Sequence, residues 1–494
     1  MQAADGGPPV GPRVLDAAEK RLLDELTSAL GMDEVGTSAY RRAMYRGDAS
    51  ILKGDPLAVC MPRDVDELAT IARACHRHGI PFVPRGAGTS IAAGTVPAGG
   101  PRRPVVIGLN HLDHVRIDAD SRTAEVGPGV VNSQLDQLAR THGLRFAPDP
   151  SSQTASTIGG NIATNAGGAH CLAYGVTSQH VLRVDLMDAM GRIHRFGDGP
   201  ADAAGYDLRG LTVGSEGCFG FVTSARVRLL PAPPTVEAAL ISFPTMHGAA
   251  TAVTRILAAR CSPAAMELMD RGAVELIEAY VHAGFDDRAA AVLLIEFEGL
   301  RHQVAQDLQT ALDVARSCDA SNVQVATDAA HRDLLWKGRK AVAGAIARVV
   351  PDYYLHDVVV PRSTLADTMD RVIDIGRRHE LRVINVFHAG DGNLHPLLLF
   401  DRREPGIEQR LLAAGHEIVK VALEVGGVLS GEHGIGLEKR DLICEAMSED
   451  ELDTHWRVRD AMDPSGLANA GKVLPRPHTC GEAAPGLIPE GAWL

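Results

Sequence analysis

No stretch of this chain approaches the roughly 18 unbroken apolar residues that a membrane-spanning helix needs. Its start, Met1 to Arg13, has glycine and proline but no basic segment followed by an apolar run, so no signal peptide is expected. There is also no block of lysine and arginine, and the formal charge is −13. Nucleic-acid affinity rests on clustered basic residues, so such a partner is not expected, and an anionic substrate would need locally placed cations. The eight cysteines (Cys60, Cys75, Cys171, Cys218, Cys261, Cys318, Cys444 and Cys480) include no pair at the two-residue spacing of a metal knuckle or redox couple. In a chain of this size they read as reduced thiols used as small apolar residues. Repeats of fixed period and low-complexity tracts are absent too. The expected location is the cytoplasm, with peripheral attachment at the inner face of the membrane left open.

What is present is the composition of an ordinary globular protein, 45% hydrophobic and 22% charged. Its 494 residues exceed the roughly 250–300 at which single cores stop growing, so two or more domains are expected. Residues 1–55 read as an N-terminal helical extension, with Tyr40 to Lys53 polar and irregular. From Pro56 the pattern is α+β. Val65, Leu68, Ile71, Ala72 and Cys75 recur at helical spacing after the potential cap Asp64. Asn132 is a second candidate cap, and Val181–Met187 with Ile193–Phe196 suggest a hairpin. The prolines Pro231, Pro233 and Pro234 mark a boundary, so 56–231 forms one domain. Residues 232–475 form a second, α+β domain in which two dense motifs flank a helix from about Glu408 to Val425. Residues 476–494 are a tail.

Pro84-Arg85-Gly86-Ala87-Gly88-Thr89-Ser90 follows a short strand. Glycines there let consecutive N–H groups converge on an anion such as a pyrophosphate, although a structural glycine turn accounts for this motif alone equally well. It lacks the helix continuation of a Rossmann site, which disfavours NAD. A second segment holds Ala147-Pro148-Asp149-Pro150-Ser151-Ser152, Thr157-Ile158-Gly159-Gly160-Asn161 and Asn165-Ala166-Gly167-Gly168. It reads as neither helix nor packed strand, and so as backbone coiled round a ligand. Together with Gly214-Ser215-Glu216-Gly217 these segments resemble the FAD-binding domain of the vanillyl-alcohol oxidase superfamily. The resemblance implies that Arg85, Gly86, Ala87, Gly88, Thr89 and Ser90 hold the diphosphate. It places Pro148, Asp149, Ser151, Ser152, Gly159, Gly160 and Asn161 along the isoalloxazine and ribityl chain. Asn165, Gly168, Tyr174, Gly175, Glu216 and Gly217 continue the wall, and Asn469 opens a C-terminal Asn-Ala-Gly-Lys turn. With no histidine in the first loop, the FAD is expected to be non-covalent.

His388-Ala389-Gly390-Asp391-Gly392-Asn393-Leu394-His395 sets two imidazoles around a glycine turn, and Glu432-His433-Gly434-Ile435-Gly436 follows after the helix. Two histidines and a carboxylate can hold a divalent ion such as Zn, Mn or Fe. Any one of these histidines alone is more often a hydrogen-bonded turn residue. Both motifs resemble the C-terminal motifs of FAD-linked oxidases of the glycolate oxidase and D-lactate dehydrogenase kind. That likeness implies His388, His395 and Glu432 as metal ligands and His433 as catalytic base. It also points to Arg339, in Trp336-Lys337-Gly338-Arg339-Lys340, as the substrate anchor, where a solvated helix charge is the alternative.

The implied activity is oxidation of a short 2-hydroxy acid to the 2-oxo acid: a metal acidifies the hydroxyl, a base takes its proton and flavin accepts the hydride. In the D-2-hydroxyglutarate branch a polar residue two places after the second metal histidine helps hold the far carboxylate. Leu397 stands there and Ala343 stands near a threonine position, which favours a monocarboxylate. Iron–sulfur and second flavin subunits of a glycolate-oxidase-like complex, a quinone acceptor and a homodimer remain open, as do a D-2-hydroxyglutarate dehydrogenase and a non-catalytic flavin subunit. A metallohydrolase would leave the glycine segments unexplained.

Overall fold

The computed structural model describes residues 14–197 and 205–475. The Gly/Pro-rich start before Val14, the expected tail 476–494 and Cys480 lie outside them. Two compact units result: one from residues up to 166, 176–231 and 432 onward, the other from 167–175 and 232–431. The chain is α+β throughout, and no described helix is long and apolar enough to cross a membrane.

In the first unit a four-stranded sheet runs in the order Val35–Gly36, Ala58–Cys60, Val105–Gly108, Phe82–Arg85. Its last three strands are parallel. Parallel pairing needs a crossover, supplied by the helix Val65–His78, whose cap Asp64 accepts from the Glu67 N–H at 2.8 Å. Leu68, Ile71, Ala72 and Cys75 from that helix are fully buried with Leu22 and Leu26 of the helix Ala17–Leu30. A five-stranded antiparallel sheet follows, ordered Val115–Asp118, Thr123–Val126, Phe221–Arg228, Val181–Met187, Ile193–Phe196, with the expected hairpin at its edge.

The second unit carries a nine-stranded sheet in which Thr235–Phe243, Ala291–Gly299, Ala265–Asp270 and Arg382–His388 are successive antiparallel neighbours. The helix read near 408–425 is Ile407–Glu424.

Some expectations need correction. The stretch read as pure coil contains the helix Ile158–Thr164: Thr157 caps it through the Gly160 N–H, Ile158 and Ile162 are buried, and Asn165 ends it at φ +51°. Two apolar anchors one turn apart outweigh the low helix propensity of Gly159 and Gly160. Asn132 is not a cap but the first residue of Asn132–Arg140, and its side-chain N–H donates to the Pro148 carbonyl at 3.0 Å. Within the stretch read as irregular, Ala39–Met44 is helical, capped by Ser38. Six cysteines are free thiols, but Cys444 is disulfide-bonded, against the reading of uniformly reduced thiols.

Candidate active site

In the first unit the strand Phe82–Arg85 delivers the chain into the loop 86–90. Gly88 lies at φ +71°, where an L side chain is strained. A Cβ on Gly86 would stand 2.4 Å from Thr157 Oγ1, and one on Gly159 2.5 Å from Pro128 Cβ. Gly86 therefore packs against the Thr157 hydroxyl of the second glycine-rich segment, and Gly159 against Pro128, with no room for a side chain at either position. Arg85 is turned inward: Nη1 donates to the Gly47 carbonyl at 2.8 Å, and the guanidinium lies over the Tyr45 ring. Burial pushes its pKa below the usual arginine value. Asn161 Nδ2, on the helix Ile158–Thr164, is buried without a hydrogen-bond partner. Such an orphan donor is costly unless a ligand accepts from it, which is what a flavin or its ribityl hydroxyls would do.

Glu216, at φ +50° and buried, ties in the returning segment. Its carboxylate accepts from the Ile435 N–H at 2.7 Å and the Gly436 N–H at 2.8 Å. Its carbonyl accepts from Asn469 Nδ2 at 2.7 Å, which also donates to the Gly94 carbonyl. Lys472 Nζ donates to the Val96 carbonyl at 2.7 Å. Burial pushes Glu216 up to about 7 despite its two N–H donors, and burial pushes Lys472 down to about 8. Glycine is needed at 434 and 436, since Cβ atoms there would meet Glu216 Oε1 at 2.8 Å and the Ala92 carbonyl oxygen at 1.8 Å. Glu432 and His433 open this segment, with His433 Nε2 3.7 Å from Glu432 Oε1.

In the second unit the turn between Arg382–His388 and Asn393–Leu394 brings His388 and His395 together, their ring centroids 4.9 Å apart and nearly perpendicular. Gly392 makes the turn at φ +81°, where a Cβ would stand 2.2 Å from the Val360 carbonyl oxygen. His395 Nε2 is 3.6 Å from Asp357 Oδ1. Asp357 Oδ2 accepts from Ser430 Oγ at 2.7 Å and from the Gly431 N–H at 2.9 Å, fixing the chain immediately before Glu432. Arg339 is buried rather than solvated, on the helix Ala329–Lys340: Nε and Nη2 lie 2.7 and 2.6 Å from Glu267 Oε2. Glu267 Oε1 is 2.6 Å from His388 Nδ1. Burial alone would raise the Glu267 pKa, but Arg339 and His388 outweigh it and hold the carboxyl below its usual range.

Sequence reasoning missed Glu267, Glu296 and Asp357. The signal for the first two was a carboxylate flanked by apolar residues within a strand, Glu267 between Met266 and Leu268 in Ala265–Asp270 and Glu296 between Ile295 and Phe297 in Ala291–Gly299. Glu296 accepts from Trp336 Nε1 at 2.6 Å and pairs with His170 Nε2 at 2.9 Å, while Tyr174 donates to Glu298 at 2.6 Å. Gly168, Tyr174 and Gly175, expected along the flavin, thus fall in a short segment of the second unit.

Residues 56–197 match the model of an FAD binding domain, and residues 232–473 that of the C-terminal domain of FAD linked oxidases. The chain is 40% identical over 447 residues to the glycolate oxidase subunit GlcD of Escherichia coli K12, covering 90% of this chain and 87% of that one. It is 33% identical over 420 residues to the D-lactate dehydrogenase of Archaeoglobus fulgidus, covering 84% and 91%. Among solved structures, p-cresol methylhydroxylase superposes with a TM-score of 0.79 at 15% identity over 93% of this chain and 97% of that one. For 4-ethylphenol oxidase from Gulosibacter chungangensis the TM-score is 0.78 at 18% identity over 94% and 99%. These two likenesses bear on the fold, which is that of vanillyl-alcohol-oxidase-type flavoproteins.

Proposed function

Because the chain belongs to the family of FAD-linked oxidases and is an FAD-dependent oxidoreductase of 2-hydroxy acids, we propose that its substrate is a short 2-hydroxy monocarboxylate of the glycolate or D-lactate kind. The observation that carries this is the bridge through Glu267. A 2-hydroxy acid has its carboxylate and hydroxyl on adjacent carbons, and the cation Arg339 and the imidazole of His388 are separated by a single shared carboxylate. Leu397 is buried in an apolar cluster with Ile384 and Leu399 and offers no donor to a second carboxylate.

In this reading Arg339 binds the substrate carboxylate, and His433 takes the hydroxyl proton. His388 and His395 with Glu432 are the donor set for one Zn, Mn or Fe ion, and the pinning of Ser430 and Gly431 by Asp357 supports a fixed Glu432. Bound non-covalently between the loops 86–90 and 159–161, FAD would supply the hydride acceptor and the divalent ion the charge that acidifies the hydroxyl. As the bacterial relative is a subunit, assembly with further electron-transfer subunits fits the same reading.

Anaerobic mixing with glycolate and a panel of 2-hydroxy acid enantiomers is the direct test: glycolate or one enantiomer of lactate should bleach the flavin fastest. Faster bleaching by a 2-hydroxy dicarboxylate would overturn the monocarboxylate assignment.

A further inference from the structure

Glu267 sits midway along the strand Ala265–Asp270, between Met266 and Leu268, with no solvent exposure. In the antiparallel register it lies directly opposite His388. Its two oxygens are divided between two partners, Oε1 facing His388 Nδ1 and Oε2 facing Arg339 Nε and Nη2. An ionised carboxylate only accepts, so the Nδ1 proton resides on His388 and points at Glu267, leaving the Nε2 lone pair on the far side of the ring. The same carboxylate occupies the Nε–Nη2 edge of Arg339 and so fixes the plane of the guanidinium. A buried ion pair contributes little net stability relative to an apolar replacement, so folding alone gives weak reason for a carboxylate here.

We propose that Glu267 is a positioning residue that sets two groups at once: His388 as an Nε2 ligand for the divalent ion, and Arg339 as the anchor for the substrate carboxylate. It thereby keeps the two ends of a 2-hydroxy acid in register. The proposal rests on the functional reading above and deepens it. An orienting carboxylate behind a ligand histidine fixes ring and tautomer, and its loss typically weakens metal binding about 10- to 100-fold.

Glu267→Gln tests it in the full-length flavoprotein. The amide can accept from one partner but must turn its NH2 toward the other, which either forces the wrong His388 tautomer or sets donor against donor at Arg339. Zn2+ affinity by chelator competition and pyruvate affinity from the flavin spectrum should both fall, each by about tenfold or more, in protein that retains its flavin. Unchanged affinity for both ligands, or a loss confined to one, overturns the proposal while leaving the functional reading intact. Wild-type protein that binds none of Zn2+, Mn2+ and Fe2+ overturns the metal assignment itself and the proposal with it. Should the variant not fold, 15N spectra of histidine-labelled, metal-stripped wild type decide: the proton of His388 is expected on Nδ1, and an Nε2–H form overturns the proposal.

Discussion

At the scale of single residues, the proposed roles separate by which kinetic constant they move. Removing a general base slows the chemical step by about 100- to 10,000-fold and leaves ground-state binding nearly intact. His433→Ala should therefore still bind a 2-oxo acid yet reduce its flavin very slowly; flavin reduction at the wild-type rate would remove His433 from the mechanism. Arg339 needs a gentler change, because its truncation strands the buried Glu267 carboxylate, at a cost of about 3–5 kcal/mol. Arg339→Lys keeps the charge but loses the planar fork, so apparent KM should rise at least tenfold with kcat changed less, as steady-state assays will show. An unaltered KM would release Arg339 from substrate binding. Gly88→Val combines a positive φ with a Cβ placed against the Arg85 guanidinium, and should purify colourless. Full flavin occupancy in that variant would count against the loop as the diphosphate cradle.

At the scale of elements, the glycine turn 389–392 is what allows His388 and His395 to face each other. Gly392→Ala asks for a left-handed alanine and drives a methyl into the Val360 carbonyl, so it should cost about 1–3 kcal/mol in denaturant unfolding and weaken Zn2+ binding. Native metal affinity and stability in Gly392→Ala would show that the turn is more forgiving than its geometry. This turn was legible in the sequence because the glycines and histidines are neighbours in it. So was the crossover helix Val65–His78, whose apolar spacing and Asp64 cap agree. The helix Ile158–Thr164 was not, because its stability comes from burial of Ile158 and Ile162, which propensity does not report. Glu267 was invisible as a site residue for a different reason: its partners stand 72 and 121 positions away, joined only through strand pairing and helix packing that local pattern cannot specify.

For the molecule as a whole, the buried pair Glu216 and Lys472 shapes stability against pH. Glu216 titrates near 7 folded against an ordinary 4.5, so the native state holds the extra proton between those values. Its contribution is fully present below pH 4.5 and is lost as pH rises through 7. Lys472 titrates near 8 against an ordinary 10.5, so its contribution is present above 10.5 and is lost as pH falls through 8. Between pH 7 and 8 neither helps, and melting temperature should pass through a shallow minimum there. Glu216→Gln should flatten the acid-side slope, and an unchanged slope in that variant would assign it to other groups. The same two residues bear on synthesis. Glu216 emerges some 220 residues before the Ile435 and Gly436 amides that its carboxylate requires, and Gly94 waits longer still for Asn469. At about 5–20 residues per second, that first gap lasts on the order of ten to forty-five seconds, during which every residue of the second unit has left the ribosome tunnel or is leaving it. The flavin unit is thus begun first and finished last, and a nascent chain arrested near residue 431 should hold a chaperone-dependent flavin unit that still lacks residues 432 onward, although every residue of the second unit has been synthesised.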